Sequence, residues 1–127
     1  MAGFLIDTDM LIDISRGNGD AADFVDGLPE EIFIGRISAM ELIIGARNKR
    51  DQKVIEEFIS VYSIKELSES IGREAHQRLK QYAKSHSLTM ADALIAATAI
   101  VNHLDLVSKN EKNFRPIKEL RFSKATY

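Results

Sequence analysis

The stretch "FLIDTDMLID", residues 4–13, decides the fold. Phe4-Leu5-Ile6 is an apolar run too short to be a helix. Asp7-Thr8-Asp9 interrupts it, and Met10 to Ser15 resumes with helical apolar spacing until Gly17-Asn18-Gly19 stops it. A strand that gives way to a helix at two carboxylates places charge at the carboxyl end of a buried element. No lysine or arginine lies beside it in sequence to balance that charge. In open α/β sheets ligands bind beyond the carboxyl ends of the strands, so Asp7 is expected to face a site.

The same alternation runs outward along the chain. Asp20 is expected to cap a second helix through about Gly27, which Pro29 ends. Ile32-Phe33-Ile34 has β-branched and aromatic strand character. Ser38 then caps "SAMELIIGAR", with Glu41 at the capping-box position. Residues 51–60 are helical, and Val61 to Ile64 is a third strand. An amphipathic helix covers about 68–86, with Ile71, Ala75, Leu79 and Tyr82 on one stripe. Thr89 caps the Ala-rich "MADALIAATAIVNH", Leu104 to Ser108 is a fourth strand, and the tail suggests one short strand more. No repeat or linker interrupts residues 1–127, so the expectation is a single α/β domain. Its central, mainly parallel sheet has four to five strands between helical layers.

Composition adds boundaries. A chain of 127 residues with 45% apolar and 28% charged residues is an ordinary globular sequence. There is no cysteine, which excludes disulfides and thiolate metal sites. No run is apolar enough to span a membrane. Met1 to Ile6 lacks a basic n-region, so a cytoplasmic protein is expected. Charge is polarised. Residues 1–31 carry eight acids against Arg16 alone, whereas 109–127 carry six bases against two acids. That pattern suits an acidic site beside a polyanion-binding edge.

Two further acids resemble Asp7 in their setting. Glu41 is surrounded by Ile37, Met40, Leu42, Ile43 and Ile44. Asp92 opens an almost wholly apolar helix, and the next charge is Asp105. Singly, Glu41 reads as a capping acceptor and Asp92 as a helix-dipole partner. Together they are three like charges at the starts of core elements, which repel unless a cation lies between them. All-oxygen ligation points to Mg2+ or Mn2+.

With "FLIDTDMLID", "ISAMELIIGA", "MADALIAATAI" and "LDLVSKNEKNF" in that order, the chain resembles the PIN-domain ribonucleases, and most closely their VapC toxin branch. The resemblance covers essentially the whole chain. It implies a three-layer α/β/α PIN-like fold and an acidic pocket holding Mg2+ or Mn2+ through Asp7, Glu41 and Asp92. Thr8, Asp9 and Ser108 would support that shell. The fourth acid usual after the fourth strand is replaced here. Asn110 takes its place if strand alternation puts it on the face of Ser108, with Asn113 or Glu111 as the other choices. The implied activity is metal-dependent cleavage of RNA, with Glu41 orienting the attacking water. Lys109, Lys112 and Arg115, with Arg47, Lys49, Arg50 and Lys53, would grip the backbone. Few aromatics look free for base stacking, Tyr127 being the exception. The resemblance also implies a VapB-type antitoxin partner whose basic residue enters the pocket. It further implies a homodimer, with residues 38–46 and 54–64 as candidate faces. Three other readings compete: a non-catalytic PIN-like RNA-binding module, a haloacid-dehalogenase-type phosphatase, which also opens on Asp-x-Asp, and a purely structural interaction protein, which would not need Asp7, Glu41 and Asp92 to converge.

Overall fold

A computed structural model describes residues 3–127; Met1 and Ala2, read above for a leader, lie outside it. Five strands form one sheet, β1 (Gly3–Ile6), β2 (Glu31–Gly35), β3 (Ser63–Lys65), β4 (Asp105–Ser108) and β5 (Phe122–Lys124). Their order is β3-β2-β1-β4-β5, and every neighbouring pair is parallel. Parallel strands need crossovers, and helices supply them: α1 (Thr8–Ser15), α2 (Gly19–Asp26), α3 (Arg36–Ile44), α4 (Lys49–Ile59), α5 (Glu69–His86), α6 (Met90–Val101) and α7 (Glu111–Phe114).

Alternation of side chains explains why the central strands are apolar throughout. Leu5 and Leu106 point into one core with Ile71, Ala75, Ala93, Ala96 and Phe114. Ile6, Ile34 and Val107 point into the other with Met10, Leu11, Leu42 and Ile59. Successive residues of a strand thus serve opposite faces, so both faces need cover and the three-layer architecture follows. The sheet is wholly parallel, in agreement with the expected fold.

Several local expectations are corrected. α1 begins at Thr8 rather than Met10, because Asp7 itself is its N-cap, its Oδ1 accepting from the Thr8 N–H at 2.8 Å. Asn18, not Asp20, caps α2. Ser38 caps nothing, since α3 starts earlier at Arg36 behind Gly35, and the serine is turned into the interior at 1% exposure. The third strand lies at Ser63–Lys65 and not at 61–64. Ser68 and Thr89 cap α5 and α6, the second as expected. β4 stops at Ser108, so strand alternation does not reach Asn110.

The order of the strands fixes where a site can form. From β1 the chain winds outward through β2 and β3, then returns to the other side of β1 with β4. The crevice at that reversal lies between the carboxyl ends of β1 and β4, which are followed by Asp7 and formed by Ser108. The Asp7 N–H donates to the Val107 carbonyl at 3.0 Å and carries the ladder to the crevice floor.

Candidate active site

Asp7 follows β1 at that reversal, with 6% of its surface exposed. Its Oδ2 accepts from the Ser108 hydroxyl at 2.6 Å. Burial pushes its pKa up to about 8, and the neighbouring Asp9 carboxylate adds to the rise; the Ser108 and Thr8 bonds pull the other way. Asp9, in the first turn of α1, has its own Oδ1 on the Met10 N–H at 3.1 Å.

Glu41 comes to the same place through α3. Ser38 and Glu41 are three residues apart and share a helix face, which meets the start of α1. Thr8 Oγ1 lies 2.6 Å from Glu41 Oε1 and 2.8 Å from Ser38 Oγ. A hydroxyl has one proton and a carboxylate only accepts, so Thr8 donates to Glu41 and takes the Ser38 proton. Asp92 stands in the first turn of α6, and its Oδ2 accepts from Asn113 Nδ2 at 3.1 Å.

A single hydrogen-bonded path joins the three acids. Glu41 is held by Thr8, whose N–H is on Asp7. Asp7 is held by Ser108, whose Oγ accepts from the Asn110 N–H at 2.9 Å. Asn110 Oδ1 then accepts from the Asn113 N–H at 3.2 Å, and Asn113 reaches Asp92. Among the described residues, no three of the His, Cys, Asp or Glu side chains gather into a ready-made metal cluster. Each carboxylate is turned onto a donor of its own, as like charges in a confined crevice require. The donor set nevertheless fits a hard cation: it is all oxygen. Its deepest member is a carboxyl that burial and Asp9 keep protonated near neutrality, and a divalent ion lets such a pair ionise together.

The structure sorts the remaining candidates. Asn110 is the N-cap of α7, its side-chain oxygen spent on that helix, while Asn113 makes the contact with Asp92. Glu111 is turned away onto Arg115 and Lys124. Lys109 is paired with Asp13, and Arg115 lies over Phe122 at 5.1 Å as well as on Glu111. Lys112 is exposed. Tyr127, expected to be free, has its hydroxyl on Asp13 at 2.5 Å. Sequence reasoning missed Ser38 as a support of Glu41. Its signal was a small polar residue inside an apolar helix, one turn before the acid.

Ser108→Ala tests the path at its centre. It leaves Asp7 Oδ2 and the Asn110 N–H without their partner in a buried place. A loss of about 1–3 kcal/mol in unfolding free energy is expected by denaturant titration. A change below about 0.5 kcal/mol would show that Ser108 is a plain turn residue.

The wholly parallel sheet with acids at its reversal point is the arrangement of one known family. The PIN domain family matches residues 4–120, and the chain belongs to it. Ribonuclease VapC19 of Mycobacterium tuberculosis is 33% identical over 121 residues, covering 92% of this chain and 96% of that protein. Ribonuclease VapC10 of the same organism is 30% identical over 120 residues, covering 92% and 90%. Among solved structures, a toxin–antitoxin complex from Klebsiella pneumoniae superposes with a TM-score of 0.77 at 28% identity, covering 91% of this chain and 93% of that one. A DNA-bound VapBC from Salmonella typhimurium superposes at 0.85 with 23% identity over 99% and 100%, which supports the fold.

Proposed function

We propose that this chain is a metal-dependent endoribonuclease that hydrolyses RNA phosphodiester bonds, and the toxin of a VapBC-type pair. The observation that carries the reading is the hydrogen-bonded path uniting Asp7, Glu41 and Asp92 at the sheet's reversal point. Full-length likeness to two named ribonucleases supports it.

Asp7 and Asp92, with Glu41, are the residues that would hold Mg2+ or Mn2+. Bound there, the ion supplies neutralisation of phosphate charge and a water of lowered pKa. Glu41, its carboxylate fixed by Thr8, orients the attacking water and takes its proton. Ser108 and Thr8 hold Asp7, and Asn113 holds Asp92, so the carboxylates keep one geometry. The exposed bases Lys112, Lys118 and Lys124 lie in α7, beside Asp92, and in the segment after it. Contacts from such residues to the RNA backbone give affinity without base choice.

Two partners, an antitoxin and a second copy of the chain, would each take a surface of their own. A groove of about 350 Å3 between α1, α3 and α4 has Ile12, Leu42, Ile55 and Phe58 in its lining together with Glu41 and the charged Arg16, Arg47 and Asp51. An antitoxin segment lying there would bring a basic residue to the acids, substituting for cation charge. On α3, Met40 and Ile44 are exposed, the latter at 82%, and a second copy of the chain would cover them. Among the described residues no helix is long and apolar enough to cross a membrane, and a cytoplasmic location belongs to the proposal because RNA is its substrate.

The test is incubation of the purified chain with total RNA, with Mg2+ or in EDTA, followed by mapping of cut ends. Discrete ends that require the metal and vanish in Asp92→Asn are expected. RNA left intact by the wild type under all metal conditions would favour a non-catalytic RNA-binding module.

A further inference from the structure

Outside the acid path, one ionic cluster is assembled from three distant parts of the chain. Asp13, in the second turn of α1, accepts from Lys109 Nζ at 2.6 Å and from the Tyr127 hydroxyl at 2.5 Å, both on Oδ2. The Lys109 ammonium also lies over the Tyr127 ring, 5.4 Å from its centroid. That ring leans on Phe24 at 5.9 Å. The tail is anchored as well, since the Ala125 N–H donates to the Ser108 carbonyl at 2.9 Å.

These contacts fix a residue that borders the acids on both sides. Lys109 follows directly on Ser108, which holds Asp7, and α1, which carries Asp13, begins at the cap made by Asp7. Asp9, two residues from Asp7, also acts on the Lys109 ammonium, so the cation stands within reach of that carboxylate's charge. A lysine held by one surface ion pair keeps most of its rotamer freedom, and such a pair contributes little. Here a carboxylate, a ring and an anchored tail converge on one ammonium. The expense of immobilising it is met before substrate arrives.

We propose that Asp13 and Tyr127 are positioning residues for Lys109, which they fix at the rim of the acidic crevice to receive a non-bridging phosphate oxygen of the RNA. The proposal rests on the ribonuclease reading above. Its physical logic is that an acidic crevice repels a polyanion, and a cation already in place beside it offsets that repulsion where the phosphate must sit. The alternative role for Asp13, a mask that neutralises Lys109, makes the opposite prediction. Removing a mask strengthens RNA binding, whereas removing a positioning group weakens it.

The experiment is steady-state kinetics on an RNA cut by the wild type. It compares Lys109→Ala, Asp13→Asn, Tyr127→Phe and the Asp13→Asn/Lys109→Ala double variant, with the melting temperature of each recorded. KM should rise roughly tenfold in Lys109→Ala, the effect of one charge-assisted phosphate contact. It should rise roughly threefold in Asp13→Asn and in Tyr127→Phe, with kcat nearly unchanged. In the Lys109→Ala background, Asp13→Asn should add nothing. Tyr127→Phe keeps the ring and its packing, so it reports on positioning even if Asp13→Asn folds poorly. A KM that is unchanged or lowered in Tyr127→Phe, or effects of Asp13→Asn and Lys109→Ala that add in full, would overturn the proposal while RNA cleavage stands. A wild type that cuts no RNA overturns the ribonuclease reading, and this proposal with it.

Discussion

Asp7→Asn is expected to abolish metal-dependent RNA cleavage and, in the same protein, to raise the melting temperature in EDTA at pH 8. Loss of activity alone would fit almost any damage to the crevice. The gain in stability would not. Asp7 is buried beside Asp9, and its pKa is pushed from 3.8 to about 8 in the folded chain. The folded state therefore keeps a proton that the unfolded state has lost. Stability from this group is complete below about pH 4 and is lost as pH rises through 8. Asparagine does not titrate, can still accept from the Thr8 N–H, and presents an amide to Ser108. The two proteins should melt alike near pH 4 and separate steadily towards pH 8, by several kcal/mol and at most about 5–6, the worth of a rise from 3.8 to about 8. Saturating Mg2+ should stabilise the wild type more than the variant and narrow the gap. A variant less stable than wild type by the same amount at every pH would mean that Asp7 is a structural partner and not a ligand.

The sequence disclosed most of this arrangement because the governing signals are local. Apolar runs broken by Asp7, by Glu41 in an apolar helix and by Asp92 in another can be read without coordinates, and so can the alternation of strands and helices. What stayed hidden is tertiary. Ser38 looks like a cap in sequence, and only the docking of α3 on α1 makes it the partner of Thr8. Tyr127 looks free because its acceptor, Asp13, is 114 positions away. Asn110 looks like the fourth ligand only if β4 continues past Ser108. The strand ends there because the chain turns at once into α7, using that asparagine as its cap.

That last correction leads to the most discriminating substitution, Asn113→Asp. Asn113 is the residue whose amide touches Asp92, at 3.1 Å. Replacing it with aspartate removes a donor and sets a carboxylate against a carboxylate. In metal-free buffer the variant should lose about 1–2 kcal/mol of stability. With metal the sign reverses, because affinity for hard cations rises with the charge of the ligand set. The Mg2+ concentration for half-maximal cleavage should fall on the order of tenfold, and added Mg2+ should restore the lost stability. Asn110→Asp provides the contrast. Aspartate caps a helix about as well as asparagine, so α7 should persist and the metal midpoint should stay near that of wild type. Parallel Mg2+ titrations of cleavage and of melting temperature separate the two. A midpoint that moves in Asn110→Asp and not in Asn113→Asp would return the fourth position to residue 110, and would require α7 to unwind when the metal binds.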